Sequence, residues 1–355
     1  VTSAVLATLL VLAVGGATWA YFKLNGNVAG VPVEKELGPA ADRPRDFPGV
    51  ISVLLIGTDS REGLGARYGD AGSVGHADTT LLVQVAADRS SASVVSIPRD
   101  LMVEQPVCLT DKDKPIPGSS REIFNASLGQ DGRGPGCVMK TVEKLTGVHV
   151  DHFVMVDFEA VKSITKVLGG VEVCTTKQID DVKSGLHLTP GKHKIFGEQA
   201  LAFLRTRHGV GFGSDLDRIK LQQQFLSSLI RSFKSTGTLA NPVKAFKVAD
   251  KVTSALTVDS DIASLKSLAG LALDLNKVDS KNITFTTVPV LDSTLPDEDG
   301  RLVLKEPAAD ELFARVAAVQ PLEASKGTKS STPGHKPTAI PGVTTQRASK
   351  ATCAG

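Results

Sequence analysis

The first 22 residues (VTSAVLATLLVLAVGGATWAYF) contain no charged side chain. A helix of that length, at ~1.5 Å per residue, spans the ~30 Å hydrocarbon core of a bilayer. Trp19, Tyr21 and Lys23 fall where interfacial side chains sit. The run exceeds the ~7–15 apolar residues of a signal peptide, so it reads as an uncleaved membrane anchor, with cleavage near Gly15-Gly16-Ala17 as the alternative. Residues 23–48 turn to Gly, Pro and charge and read as an extracellular stalk. Short β-branched and apolar runs then predict strands at 51–56 (ISVLLI), 80–86 (TLLVQVA), 93–97 (SVVSI), 152–156 (HFVMV), 171–174 and 283–288. Between and beyond them, helical spacing predicts helices at 138–146, 158–168, 197–207, 215–234, 242–254, 261–274 and 306–319. Strands alternating with helices point to an α/β layered sheet. From Pro321 onward Ser, Thr, Pro and Lys replace the large apolar residues, which predicts a disordered tail over 321–355.

Charge alters this picture through its placement. The 355 residues carry 40 Lys plus Arg against 38 Asp plus Glu, a net +2, but residues 34–320 sum to −3. The basic excess lies in the tail, so a general nucleic-acid binder, with its basic footprint and stacking aromatics, is not indicated. None of the four cysteines forms a CxxC, and no HExxH is present, which argues against a zinc site. Cys108 and Cys137 flank a loop rich in Pro, Gly and charge that a disulfide would tie down outside the cytoplasm. Cys174, near a strand end, reads as a buried thiol, and Cys353 has no predicted partner.

The sequence lacks a Walker loop and GxGxxG, and its nearest approach to GxSxG is AGSVG at 71–75. Arg and Asp beside the apolar strands stand out instead: GTDSR at 57–61, HADT at 76–79, SIPRD at 96–100, and RTR at 205–207 followed by Asp215, Arg218 and Gln222. Asp59 follows one strand and Asp78 precedes the next, at the rim where α/β sheets place ligands. Two carboxylates together there suit a hard cation such as Mg²⁺. Taken singly, each reads equally as a loop cap. Pro98 stiffens the backbone where Arg99 leaves the sheet. Arg205 and Arg207 end a helix, where the dipole alone would favour them. Asp215, Arg218 and Gln222, spaced i, i+3, i+7, share an arc of about 60° on one helix face, with Lys220 and Leu221 off it. Converging arginines suit phosphate, which guanidinium binds bidentately.

The ordered set LLIGTDSR, HADTTLLVQV, VVSIPRD, FNASLG, VDHFVMVDFEAV, LGGVEV, GEQALAFLRTR and SDLDRIKLQQQFL strongly resembles the LytR-CpsA-Psr (LCP) family over residues 50–235, and more loosely to about 319. The wording FNASLGQDGRGPGC looks most like actinobacterial members. The resemblance implies a single LCP-type α/β domain over 49–320, its central, mostly buried sheet flanked by helices on both faces and preceded by a transmembrane helix. It implies an extracellular enzyme attaching a glycopolymer from a polyprenyl pyrophosphate carrier to peptidoglycan through a phosphodiester bond. Asp59 and Asp78 would be the Mg²⁺ ligands. His76, Arg99, Arg205, Arg207, Arg218 and Gln222 would stand at the pyrophosphate cradle. Asp215 would orient Arg218 or assist proton transfer, and Asp78 and Asp100 are the candidate bases. The family pattern has Arg where His76 stands, commonly Arg where Leu221 stands and commonly Gly where Asp217 stands. A polyprenyl-pyrophosphate hydrolase and a non-catalytic lipid-pyrophosphate binding or regulatory protein are the alternatives.

Overall fold

Apolar side chains alternate along three antiparallel strands, β2 (Ile51–Thr58), β3 (Ala77–Val85) and β4 (Ala92–Ile97), and this alternation decides which helices cover which face. On one face Leu54, Ile56, Leu82, Val95 and Ile97 join the main core under α1 (Pro135–Thr146) and α7 (Ala308–Ala317). On the other, Leu55, Leu81, Val83 and Val94 pack toward α4 (Asp215–Ser235) and α6 (Leu265–Lys277) through Leu226, Ile230 and Leu275. The sheet is completed by β1 (Ala29–Val31), β5 (His152–Val156), β6 (Leu256–Asp259), β7 (Ile283–Thr287) and β8 (Thr345–Arg347), in the order β1-β6-β5-β2-β3-β4-β7-β8. The β1–β6, β5–β2 and β4–β7 pairs are parallel and the rest antiparallel. The computed structural model describes residues 15–16, 18–59, 75–110, 112–207, 214–235, 242–322 and 339–353. These form the expected α/β layering, with helices on both faces.

Beyond the end of β5, α2 (Phe158–Val167), α3 (Glu198–Arg205) and the start of α4 enclose a smaller core with the hairpins Val171–Thr175/Gly191–Ile195 and Ile179–Asp181/Leu186–Leu188. Asp157 caps α2, its side chain accepting from Ala160 N at 2.7 Å. α5 (Pro242–Thr253) lies against α2.

Three sequence expectations need correction. Residues 29–37 are not a free stalk: β1 pairs with β6, and Val33 and Leu37 are buried in the main core beside the short helix Glu34–Leu37. The tail is not disordered throughout. β8 extends the sheet by pairing with β7, and Ile340 and Ala348 are buried. Cys174 is not a thiol, because it forms a disulfide with Cys353 in addition to the expected Cys108–Cys137 bridge. The predicted anchor falls mostly on residues 1–14 and 17, outside the described residues. The chain is helical over 18–25, and among the described residues no helix is long and apolar enough to cross a membrane.

Candidate functional site

The antiparallel β2–β3 pairing sets Thr58 opposite Ala77, and so brings the residue after β2, Asp59, to the start of β3, where Asp78 and Thr79 stand. The register slips at Gly57/Thr58, a bulge that re-aims the end of the strand. A Cβ on Gly57 would lie 3.0 Å from Thr79 Cβ, so the close approach of the two strands favours glycine there. Asp59 Oδ1 accepts the backbone N–H of His76 at 2.9 Å. β4 ends one strand over, and Arg99 Nη1 donates to Asp78 Oδ1 at 2.7 Å. α4 crosses above. Arg218 Nη2 donates to the Asp78 carbonyl at 3.0 Å, and Gln222 Nε2 to Thr79 Oγ1 at 2.8 Å. The C-terminal end of α3 supplies Arg205, whose guanidinium lies 5.1 Å from the Phe158 ring centroid.

Below this rim lies a layer of charge, buried at Asp215 and Arg218 and half-buried at Arg99 and Asp100. Asp215 Oδ1 is 2.5 Å from Arg218 Nη2 and 3.6 Å from Arg99 Nε. Asp100 reaches Arg99 Nε at 3.5 Å and Arg301 Nη1 at 3.8 Å. Both Asp215 carboxylate oxygens and the Nε atoms of Arg99 and Arg218 are buried without a well-aligned hydrogen bond among the described residues. Charge pairing therefore holds this layer. Burial alone would lower the pKa of Arg99, but Asp78, Asp100 and Asp215 outweigh it and raise the value. At Arg218 burial dominates over its partner Asp215, and the pKa is lowered. Burial raises the Asp100 pKa against the pull of Arg99, with Asp215 pushing the same way.

A cavity of about 530 Å³ opens beside this cluster. Its walls are apolar (Leu55, Leu81, Val161, Ile164, Leu226 and Leu229), and Asp59, Asp78, Arg99, Arg205, Arg207, Arg218 and Gln222 line its charged end. Asp100, Asp215 and His76 do not line it. The first two brace the arginines from behind, and His76 meets the site through its backbone bond to Asp59. Leu221 is fully buried in the smaller core, off the site face as its helical position predicts, and Asp217 pairs with Lys220. Ser60 and Arg61 lie outside the described residues. Sequence reading passed over Asp181, a buried carboxylate whose Oδ2 accepts from Arg207 N at 3.0 Å. Its only signal was an acidic pair, IDD, in a segment otherwise typical of a hairpin.

Asp59 and Asp78 at the charged end of the cavity are hard oxygen donors of the kind that hold Mg²⁺, which is commonly bound by one or two protein carboxylates and completed by substrate phosphate and water. In the bonds described, Asp59 and Asp78 each use Oδ1. The cluster of three potential ligand side chains found among the described residues, Glu36 with Cys108 and Cys137, has both sulfurs in a disulfide and does not qualify.

At its charged end the apolar cavity gathers four arginines and two carboxylates, a set of side chains whose guanidinium groups suit phosphate. The model of the LytR_cpsA_psr family matches residues 21–317, and the chain belongs to that family. It is 32% identical over 277 residues to the cell wall biosynthesis protein LcpA of Corynebacterium glutamicum, a match covering 71% of this chain and 51% of the relative. The chain thus spans about half the length of LcpA. With the polyisoprenyl-teichoic acid–peptidoglycan teichoic acid transferase TagT of Bacillus subtilis it shares 30% identity over 249 residues, 67% of this chain and 71% of TagT. The solved LytR-Csp2A-Psr enzyme from Actinomyces oris has the same fold, with a TM-score of 0.60 at 22% identity, covering 82% of this chain and 96% of that one.

Proposed function

We propose that the chain is an Mg²⁺-dependent phosphotransferase that moves a glycopolymer from a polyprenyl pyrophosphate carrier to peptidoglycan. The observation that carries this reading is the cavity, apolar along its length and arginine-rich at one end. The apolar walls take the polyprenyl chain. Arg99, Arg205, Arg207 and Arg218 hold the pyrophosphate, and Gln222 adds a hydrogen bond. Asp59 and Asp78 would hold Mg²⁺, which would supply neutralisation of phosphoryl charge. Phosphoryl transfer depends on positioning and charge neutralisation more than on covalent chemistry of the protein, so this side-chain set is sufficient. An acceptor sugar hydroxyl attacks the phosphorus that bears the glycopolymer, the bond to polyprenyl phosphate breaks, and a phosphodiester forms. Of the two candidate bases, Asp78 lines the cavity and Asp100 stands behind Arg99, so Asp78 takes the hydroxyl proton. The two disulfides and the apolar residues 1–22 support a membrane-anchored protein working outside the cytoplasm.

The test supplies the purified chain with a short polyprenyl-pyrophosphate glycan, Mg²⁺ and peptidoglycan fragments, and compares it with Arg99→Ala. Transfer should fall by roughly 10²–10³-fold in the variant, the scale seen when one preorganised charge-stabilising group is removed. Polyprenyl phosphate released with no glycan adduct would mean that water is the nucleophile. Mg²⁺ dependence unaltered in Asp59→Ala and Asp78→Ala would remove the metal assignment.

A further inference from the structure

A second cavity of about 520 Å³ lies between the first turn of α3 and the tip of the 179–188 hairpin, and differs from the first in chemistry. Ser184, His187, Glu198 and Gln199 line it, with Gly185 and Ala202 as small neighbours. We infer that this groove binds the sugar hydroxyls of the acceptor glycan strand. The inference rests on the phosphotransferase reading above and adds to it a place for the second substrate.

The first support is position. Arg205 and Leu201 are wall residues of both cavities, so the groove adjoins the apolar cavity at one arginine of the phosphate cradle. Attacking and leaving oxygens lie roughly in line across a transferring phosphorus. With the leaving polyprenyl phosphate in the apolar cavity, the acceptor must arrive from outside it, and this groove adjoins that cavity at Arg205. The second support is chemistry. The Gln199 amide can both donate and accept hydrogen bonds, as sugar hydroxyls do, and the His187 ring, whose Nδ1 lies 2.6 Å from Asp180 Oδ1, keeps its other nitrogen for the groove. Gly185 and Ala202 leave room for a ring to approach the backbone. The third support is a mechanical tie. Asp181 Oδ1 accepts from the backbone N–H groups of Lys183 and Ser184 at 3.0 and 3.3 Å, while its Oδ2 accepts from that of Arg207. Ser184 Oγ and Thr206 Oγ1 add a 2.6 Å bond. One buried carboxylate thus holds the hairpin wall of the groove and an arginine of the phosphate cradle in a fixed relation, as two sites that must meet at one bond require.

The test titrates the full chain with a tetrasaccharide fragment of peptidoglycan, followed by NMR, and in parallel with a short polyprenyl pyrophosphate. Gln199 and His187 are exposed, so the double variant Gln199→Ala/His187→Ala should fold, and an unchanged melting curve verifies it. Losing two hydrogen-bonding side chains should weaken fragment binding about tenfold and leave polyprenyl pyrophosphate binding unchanged. Fragment affinity unchanged in the variant, no fragment binding by the wild type, or a loss confined to the polyprenyl pyrophosphate would each overturn the inference. Fragment binding that depends on Gln199 and His187 in a chain showing no transfer would instead overturn the phosphotransferase reading and leave the groove standing.

Discussion

Asp215 is the carboxylate on which the buried layer of the site turns, and its removal should be costly in a particular way. Its side chain is 7% exposed and that of its partner Arg218 is 6% exposed, with 2.5 Å between Oδ1 and Nη2. Asp215→Ala leaves Arg218 with the Asp78 carbonyl as its remaining described hydrogen-bond partner, and leaves Arg99 supported by Asp78 and Asp100. Breaking a buried pair by removing one partner costs about 3–5 kcal/mol, because the other charge stays desolvated. At ~2–4 °C per kcal/mol for a mid-sized domain, the melting temperature should fall by roughly 10 °C. Removing both charges should be much milder: Asp215→Ala/Arg218→Met should recover about 2 kcal/mol relative to the sum of the single variants. Asp215→Asn, equal in size, should fall between wild type and Asp215→Ala. Guanidinium and thermal melts followed by circular dichroism give all of these values. A loss below about 1 kcal/mol for Asp215→Ala, or a double variant that shows the plain sum of the two singles, would refute the idea that charge pairing holds this layer. Transfer should stay low in the double variant even as stability returns, since the cradle has then lost Arg218.

Three further outcomes are expected. The Cys174–Cys353 bridge joins residues 179 apart, so Cys353→Ser should destabilise the chain by up to about 5 kcal/mol in the loop-entropy account, measurable by denaturant melts; no effect would mean that the C-terminal strap adds nothing. Gly136→Ala should cost about 1–3 kcal/mol, since the new Cβ would come 2.6 Å from Glu36 Oε2 and 2.7 Å from its Cβ; a neutral result would indicate that residues 33–37 are not packed against α1. Burial lowers the pKa of His152, but the 3.1 Å bond to Asp259 and the neighbouring carboxylates outweigh it and raise the value. A histidine with a raised folded pKa contributes stability fully below its unfolded value near 6.5, and the contribution is lost as pH rises through the folded value. His152→Gln should therefore flatten the stability profile just above pH 6.5, and an unchanged slope would contradict the pairing.

What could be read in advance follows physical range. β2, β3 and β4 announce themselves because each is a run of apolar and β-branched residues that must be buried wherever the chain goes. Asp59, Asp78, Arg99, Arg218 and Gln222 were legible because they stand at the ends of such runs or on one helical arc. β1 has no comparable signal: AGV is held in place by β6, more than 220 residues later. β8 is a polar TQR segment, recruited by backbone pairing with β7 and fastened through the Cys353 bridge. Asp181 could not be singled out, since what matters is that folding buries it against the backbone of Arg207, and no local pattern encodes that contact. The same limit applies to the backbone N–H of His76, whose bond to Asp59 no local pattern encodes.

A cavity apolar in its depth and arginine-lined at its end would direct transfer of a phosphorylated glycan to a sugar hydroxyl. The most direct measurement is mass spectrometry of both products after incubation of the chain with polyprenyl-pyrophosphate glycan, Mg²⁺ and peptidoglycan fragments. A phosphodiester-linked glycan adduct formed in equal amount with polyprenyl monophosphate is the predicted result. Free glycan phosphate accompanying the polyprenyl monophosphate, with no adduct at any acceptor concentration, would contradict it.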